Sequence, residues 1–407
     1  MRNRRLALLL SLVLTAGSVT AQSADQPITS EAGAGVALES LLREAREQYE
    51  LPAIAAVVVK ADSVLGTVAI GVRRLGHTDQ VMRTDRFHIG SNGKAIASTV
   101  IAKLIEEGVL AWDSRPIDVF PELGSSVHDG FREVTLQQLL GHRAGLPPYK
   151  SLKSFRSAER RVDKSDSPRA QRRALSVWLL QQSPDATDID HYSNAGYTIA
   201  AAMAEEAADE PWESLLESRL AKPLKITLWR GQPARIDPAQ PWGHRPKSYF
   251  GLGHAGQQET KPEDYFNMGP LFGPAGDLAL SPIDYAIFLQ QHLTGLKGKD
   301  GLLQASSIRY LHFGPDGYAL GWGESDFDGV LAHTHLGTEG TFVAAVMLLP
   351  EHDLAAAVFI NSGTPKADKA AREATKAILR LYLPSAPRAS SGAEANQPGL
   401  LPGAPNE

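Results

Sequence analysis

Phe87-His88-Ile89-Gly90-Ser91-Asn92-Gly93-Lys94 runs without a break into Ala95-Ile96-Ala97-Ser98-Thr99-Val100-Ile101-Ala102-Lys103-Leu104-Ile105. A polar, glycine-bearing turn becomes an apolar helix, with Ser91 and Lys94 three residues apart at the junction. Positions i and i+3 share a helix face, so the Lys94 ammonium can stand beside the Ser91 hydroxyl. A serine hydroxyl is a poor nucleophile unless a neighbour takes its proton. A lysine in apolar surroundings has the lowered pKa that lets it help. The first helical turn adds free backbone N–H groups and the positive end of the dipole, which suit a developing oxyanion. A serine cap followed by a surface lysine has the same spacing, so the rest of the chain must decide.

Toward the N-terminus, residues 36–49 read as an amphipathic helix, with Leu38, Leu41, Leu42 and Ala45 at helical spacing and Pro52 as its stop. Two valine-rich runs, 53–60 and 63–72, flank Ala61-Asp62 as a buried hairpin. Near the other end, 318–323, 330–338, 341–349 and 354–360 read as strands, and 365–383 as a final amphipathic helix. Between them lie helical stretches at 134–140, 174–182, 197–208 and 282–292, and an irregular Pro, Trp and Gly-rich passage at 209–270. Sequential strands tend to share a sheet. The expected class is therefore α+β: an antiparallel sheet from both chain ends (about 36–80 and 318–383), flanked by terminal helices, with an all-α region (about 81–317) inserted.

Residues 1–21 carry a basic start, an apolar run at 6–19 and a small-residue cleavage site at Val19-Thr20-Ala21. That is the pattern of a secretory signal peptide, and it predicts an exported protein, periplasmic or secreted, with no stable membrane span after cleavage. Residues 22–35 read as a flexible leader, and the Pro, Ala, Ser and Gly-rich 384–407 as a disordered tail. The chain has no cysteine, which excludes disulfides and a lipidated cysteine anchor. Losing the signal removes three arginines and no acids, moving the net charge from −5 to −8. An acidic chain argues against nucleic acid as a partner. Residues 150–173 hold nine Lys or Arg against three acids. That stretch reads first as a solvated surface insertion, and otherwise as a basic rim for carboxylate-bearing substrates.

Gly93-Lys94 is no phosphate loop, because His88 stands where the first Gly is required and Ala95 where Ser or Thr is required. Gly251-Leu252-Gly253-His254-Ala255-Gly256 matches a dinucleotide fingerprint literally but follows no valine-rich strand and opens no helix. Better candidates are Tyr192-Ser193-Asn194 and His335-Leu336-Gly337-Thr338. A tyrosine beside a cation can act as a base, and an asparagine can accept from Lys94 while donating to a substrate carbonyl. A strand beside the nucleophile can pair with substrate and lend a backbone N–H, and Gly337 would allow close approach. His333 and His335 alternate onto one strand face, which leaves a metal hydrolase as an alternative. His142 and Asp277 sit in glycine-flanked turns and read as local turn residues.

The order S-x-x-K, Y-x-N, H-x-G resembles the serine β-lactamase and penicillin-binding-protein superfamily over roughly 36–383. It looks most like the class C-like branch of β-lactamases, D-alanyl-D-alanine carboxypeptidases, D-aminopeptidases and related esterases. The resemblance implies an acylated Ser91, a proton-transfer pair in Lys94 and Tyr192, and substrate binding by Asn194, His335, Gly337 and Thr338. It also implies an oxyanion hole from the Ser91 and Thr338 N–H groups, with no metal or cofactor. β-Lactam specialists usually carry Lys-Thr-Gly on that strand, whereas this chain has His-Leu-Gly. A mostly neutral histidine favours a peptidase or esterase acting on a small molecule or a D-amino-acid cell-wall peptide. A β-lactamase comes second, and a non-catalytic binding or sensor domain is the rival class.

Overall fold

The computed structural model describes residues 31–185, 192–247, 256–264, 268–314 and 320–383. Its helices of eight residues or more are α1 (Glu31–Gln48), α2 (Gly93–Glu106), α3 (Leu152–Glu159), α4 (Pro168–Leu180), α5 (Asn194–Ala208), α6 (Pro282–Leu296), α7 (Ala305–Phe313) and α8 (Pro365–Tyr382). The strands are β1 (Ala53–Lys60), β2 (Ser63–Gly71), β3 (Phe87–His88), β4 (Trp229–Arg230), β5 (His244–Pro246), β6 (Gln257–Glu259), β7 (Leu278–Leu280), β8 (Gly323–Phe327), β9 (Val330–Thr338), β10 (Val343–Leu349) and β11 (Leu354–Ile360).

Strands from both ends of the chain make one six-stranded antiparallel sheet in the order β2-β1-β11-β10-β9-β8. β1, β10 and β11 are buried along nearly their whole length, so they read as unbroken apolar runs rather than alternating ones. One face packs on α1 and α8 through Leu38, Leu42, Ala371 and Ile378. The other covers the core shared with α2 and α6, through Ile96, Val100, Phe288 and Leu289. The α+β arrangement read from the sequence is present.

Several boundaries move. α1 begins at Glu31, inside the 22–35 stretch read as a leader. The 318–323 stretch does not form the expected strand in its described part. Gly321 takes φ +85 and the Trp322 ring is buried, so the chain turns there and pairs only from Gly323 onward. α4 starts at Pro168, capped by Ser167, and α7 has no counterpart among the expected helices. The inserted region is mainly helical but also holds β3-β7-β4 and β5-β6, so 209–270 is not simply irregular. The signal, most of the leader and the tail lie outside the described residues.

The small β3-β7-β4 sheet positions the serine. β3 pairs with β7 as Phe87↔Leu280 and His88↔Ala279. That register brings the turn after β3, which holds Ser91, beside the turn Gly273–Ala275 that precedes β7.

Candidate active site

Ser91 lies in a single 3-10 turn, Gly90–Asn92, that feeds α2. Three ties hold the turn. Asn92 Nδ2 donates to the Ala344 carbonyl of β10 at 2.9 Å. The Gly90 N–H donates to His88 Nδ1 at 3.1 Å. With Nδ1 accepting, His88 must carry its proton on Nε2, which lies 3.1 Å from Asp277 Oδ1 and donates to it. Burial opposes a charge on His88, but Asp277 and Glu339 outweigh it and raise its pKa. Asp277, read from sequence as a turn residue, thus anchors the Ser91 turn across 189 residues of chain.

Two glycines let β9 approach this turn. Gly90 has φ +51, and a Cβ there would sit 2.4 Å from Thr338 N. A Cβ on Gly337 would sit 2.0 Å from the Ile89 carbonyl oxygen and 2.8 Å from Ser91 N. Nothing larger fits, so the backbone of the Ser91 turn packs directly on Gly337 and Thr338. The Thr338 side chain is tied back by donation to the Phe342 carbonyl at 2.7 Å.

Lys94 is fully buried. Its Nζ donates to Asn194 Oδ1 at 2.7 Å and to the Ala275 carbonyl at 2.7 Å, and stands 3.3 Å from Ser91 Oγ. Burial, with a smaller contribution from Lys150, pushes its pKa well below the usual lysine range. Asn194 is oriented by its Nδ2, which donates to the Tyr149 carbonyl at 2.7 Å. One of its two amide hydrogens is therefore already engaged, and Asn194 serves Lys94 more directly than the substrate role expected of it.

The Tyr192 ring centroid is 4.7 Å from Lys94 Nζ and 4.8 Å from Lys150 Nζ. On another side it meets His142 at 4.4 Å between ring centroids. His142 has φ +60 and accepts the Ser193 N–H on Nδ1 at 3.1 Å, and burial holds it neutral. That bond fixes the start of α5, which carries Asn194, so His142 too does more than close its own turn.

His335 and His333 share a strand face but not an environment. His335 Nδ1 donates to the Gly321 carbonyl at 2.8 Å, leaving Nε2 unprotonated. Burial and Lys94 lower its pKa to about 4. His333 is wholly buried among Phe313 and His312, with neither ring nitrogen hydrogen-bonded. Among the described residues no three His, Asp or Glu side chains converge as a metal site. The structure thus gathers Ser91, Lys94, Tyr192 and Asn194, with Gly337 and Thr338 against the Ser91 turn. It adds His88, Asp277, His142, the Ala275 and Tyr149 carbonyls, and Lys150. The carbonyls leave no sequence signal; the flanking glycines of His142 and Asp277 are the only hint.

A model of the beta-lactamase family matches residues 38–380. Penicillin-binding protein 4 of Amycolatopsis lactamdurans is 26% identical over 337 residues, covering 78% of this chain and 83% of its own. An octameric penicillin-binding protein homologue from Pyrococcus abyssi shares the fold with TM-score 0.65 at 20% identity, over 85% of this chain and 76% of that one. SurE does so with TM-score 0.69 at 20% identity, over 87% and 77%. The fold, the serine–lysine junction and the length of the family match agree, and the chain belongs to the beta-lactamase family of serine hydrolases.

Proposed function

We propose that this is an exported serine hydrolase that cleaves an ester or amide through an acyl-enzyme on Ser91. The observation that carries the reading is the set of partners around Lys94. A neutral amine has two hydrogens and one lone pair. The Asn194 and Ala275 oxygens can only accept, so they take both hydrogens. The lone pair is left for the Ser91 hydroxyl 3.3 Å away. Burial favours that neutral form.

Ser91 Oγ bonds to the substrate carbonyl carbon while its proton passes to Lys94, directly or through the Tyr192 phenol. The carbonyl electron pair moves to oxygen, and the Ser91 and Thr338 N–H groups hold that oxyanion. Collapse breaks the C–N or C–O bond, and the leaving group takes the proton. Water then repeats the sequence and frees Ser91. Gly337 lets β9 pack against the Ser91 turn, and His335 stands on the same strand.

Small esters and D-amino-acid peptides rank above β-lactams, because β9 carries His335-Leu336-Gly337, with His335 held neutral by burial, where β-lactam specialists of the family carry Lys-Thr-Gly. The retained hydroxyl, amine and phenol of Ser91, Lys94 and Tyr192 support turnover over the sensor reading. A fluorophosphonate probe should add its mass at Ser91 and not in Ser91→Ala; no increment sinks the hydrolase reading. A panel of a p-nitrophenyl ester, a D-Ala-D-Ala peptide, a D-amino-acid amide and a chromogenic cephalosporin separates the substrate classes. Ester cleavage without cephalosporin cleavage is the expected outcome.

A further inference from the structure

The basic stretch 150–173 is sorted by the fold into two kinds of residue. Most of its cations that have partners find them away from the site. Arg172 is fully buried, clasped by Glu205, Glu213 and the Pro270 carbonyl. Arg169 pairs with Asp209 at 2.8 Å, Arg173 with Glu122 at 2.9 Å and Lys164 with Glu159 at 3.0 Å. Arg161 lies over the Trp178 ring.

Lys150 differs. Its side chain is exposed, and among the described residues no carboxylate pairs with it. Its ammonium stands 4.8 Å from the Tyr192 ring centroid, on a ring that also meets Lys94. Its position is anchored from below: the preceding residue, Tyr149, has φ +44 and its carbonyl holds Asn194 Nδ2. A cation–π contact on a half-buried ring is weak, so an anion can draw the ammonium away. On β9, His335 spends its one N–H on Gly321 and offers no charge.

Resting on the hydrolase reading above, we infer that Lys150 is a specificity-determining residue, which selects esters or amides bearing a carboxylate by binding that carboxylate at the edge of Tyr192. The β9 strand then aligns the scissile group while the helical region supplies the charge.

The test compares mono-p-nitrophenyl succinate with its methyl ester, which differ in one charge. Wild type should favour the free acid by about tenfold in kcat/KM, the scale of one charge-assisted hydrogen bond. The preference should reside mainly in KM and shrink in high salt. Lys150→Met should reduce it to near unity, Lys150→Glu should reverse it, and Lys150→Arg should restore it. The ratio between the two esters cancels any effect of Lys150 on Lys94, which acts on both alike. A preference unchanged in Lys150→Met, or absent from an active wild type, overturns the assignment of Lys150 alone. Failure of both esters to acylate Ser91 overturns the hydrolase reading on which it rests.

Discussion

Two lysines touch the same tyrosine ring from two parts of the molecule. Lys94, on the apolar helix α2, is fully buried and surrounded by acceptors; Lys150, on the loop before α3, is exposed and has no carboxylate partner among the described residues. The residue type and the distance from Tyr192 are nearly the same. Desolvation disfavours the charge on Lys94 and suits it to take a proton, while Lys150 stands in solvent where an anion can reach it. Chemistry in this site is therefore set by burial more than by side-chain identity.

The largest effect is expected at the serine that the buried lysine serves. Ser91→Ala should lower kcat/KM by at least about 10⁴-fold with little change in Tm, because the nucleophile is lost while the turn keeps its ties. Next comes Lys94→Met, which fills the same space without a base. Turnover should fall by about 10²–10⁴-fold. Stability should fall by about 1–3 kcal/mol for each acceptor left without a donor on Asn194 and Ala275, read by urea unfolding. A Lys94→Met protein that keeps wild-type turnover would refute the assignment of the base.

Gly337→Ala should come third. The added methyl would overlap the Ile89 carbonyl oxygen and crowd Ser91 N, so β9 or the nucleophile turn must shift. A loss of about 10²-fold in kcat is expected, the size of one lost oxyanion donor, with about 1–3 kcal/mol of stability. Unaltered kinetics would show that the contact of β9 with the Ser91 turn is not the oxyanion site.

The same desolvation acts on the histidines. Burial lowers His333, His335 and His244 to about 4 and His292 to about 3, and takes His142 and His312 well below the usual range. Unfolded histidines titrate near about 6.5. Below that pH the unfolded chain binds protons the folded chain refuses, so stability is intact above it and is lost as pH falls toward 4. His88, with its raised pKa, works in the opposite direction. Tm should therefore drop across this window, and His333→Leu should flatten the drop by up to about 1.4 kcal/mol per pH unit. A Tm independent of pH from 6.5 to 4 would contradict the neutral cluster.

The smallest effect probes the two lysines together. The Lys150 charge helps to lower the Lys94 pKa. Lys150→Met should raise it and move the acid limb of kcat/KM to higher pH by a few tenths of a unit, an interaction screened by solvent. No movement would mean that the lysines act independently.

Much of this site is legible in the sequence because helical spacing is local. Ser91 and Lys94 are three residues apart on one helix start, and Gly337 and Thr338 lie on a stretch that reads as a strand. Lys94 and Asn194 are 100 residues apart, yet an amide oxygen that can accept from a lysine anticipates their pairing. What sequence could not show are partners without a residue signature. The Ala275 and Tyr149 carbonyls exist in every peptide unit and become ligands only through the β3–β7 pairing and the turn at Tyr149. Asp277 reads as a turn residue because its contact with His88 spans two turns that only the small sheet brings together.

Hydrophobic period and short-range spacing suffice for the α+β class and the order of the main strands and helices; spacing offers the Ser91–Lys94 pair, and the family resemblance gives it a role. Which lysine is buried, which histidines are neutral and which cation faces an incoming substrate are decided only in the folded molecule. Those outcomes depend on desolvation, and desolvation is a property of everything packed around a group rather than of the group itself.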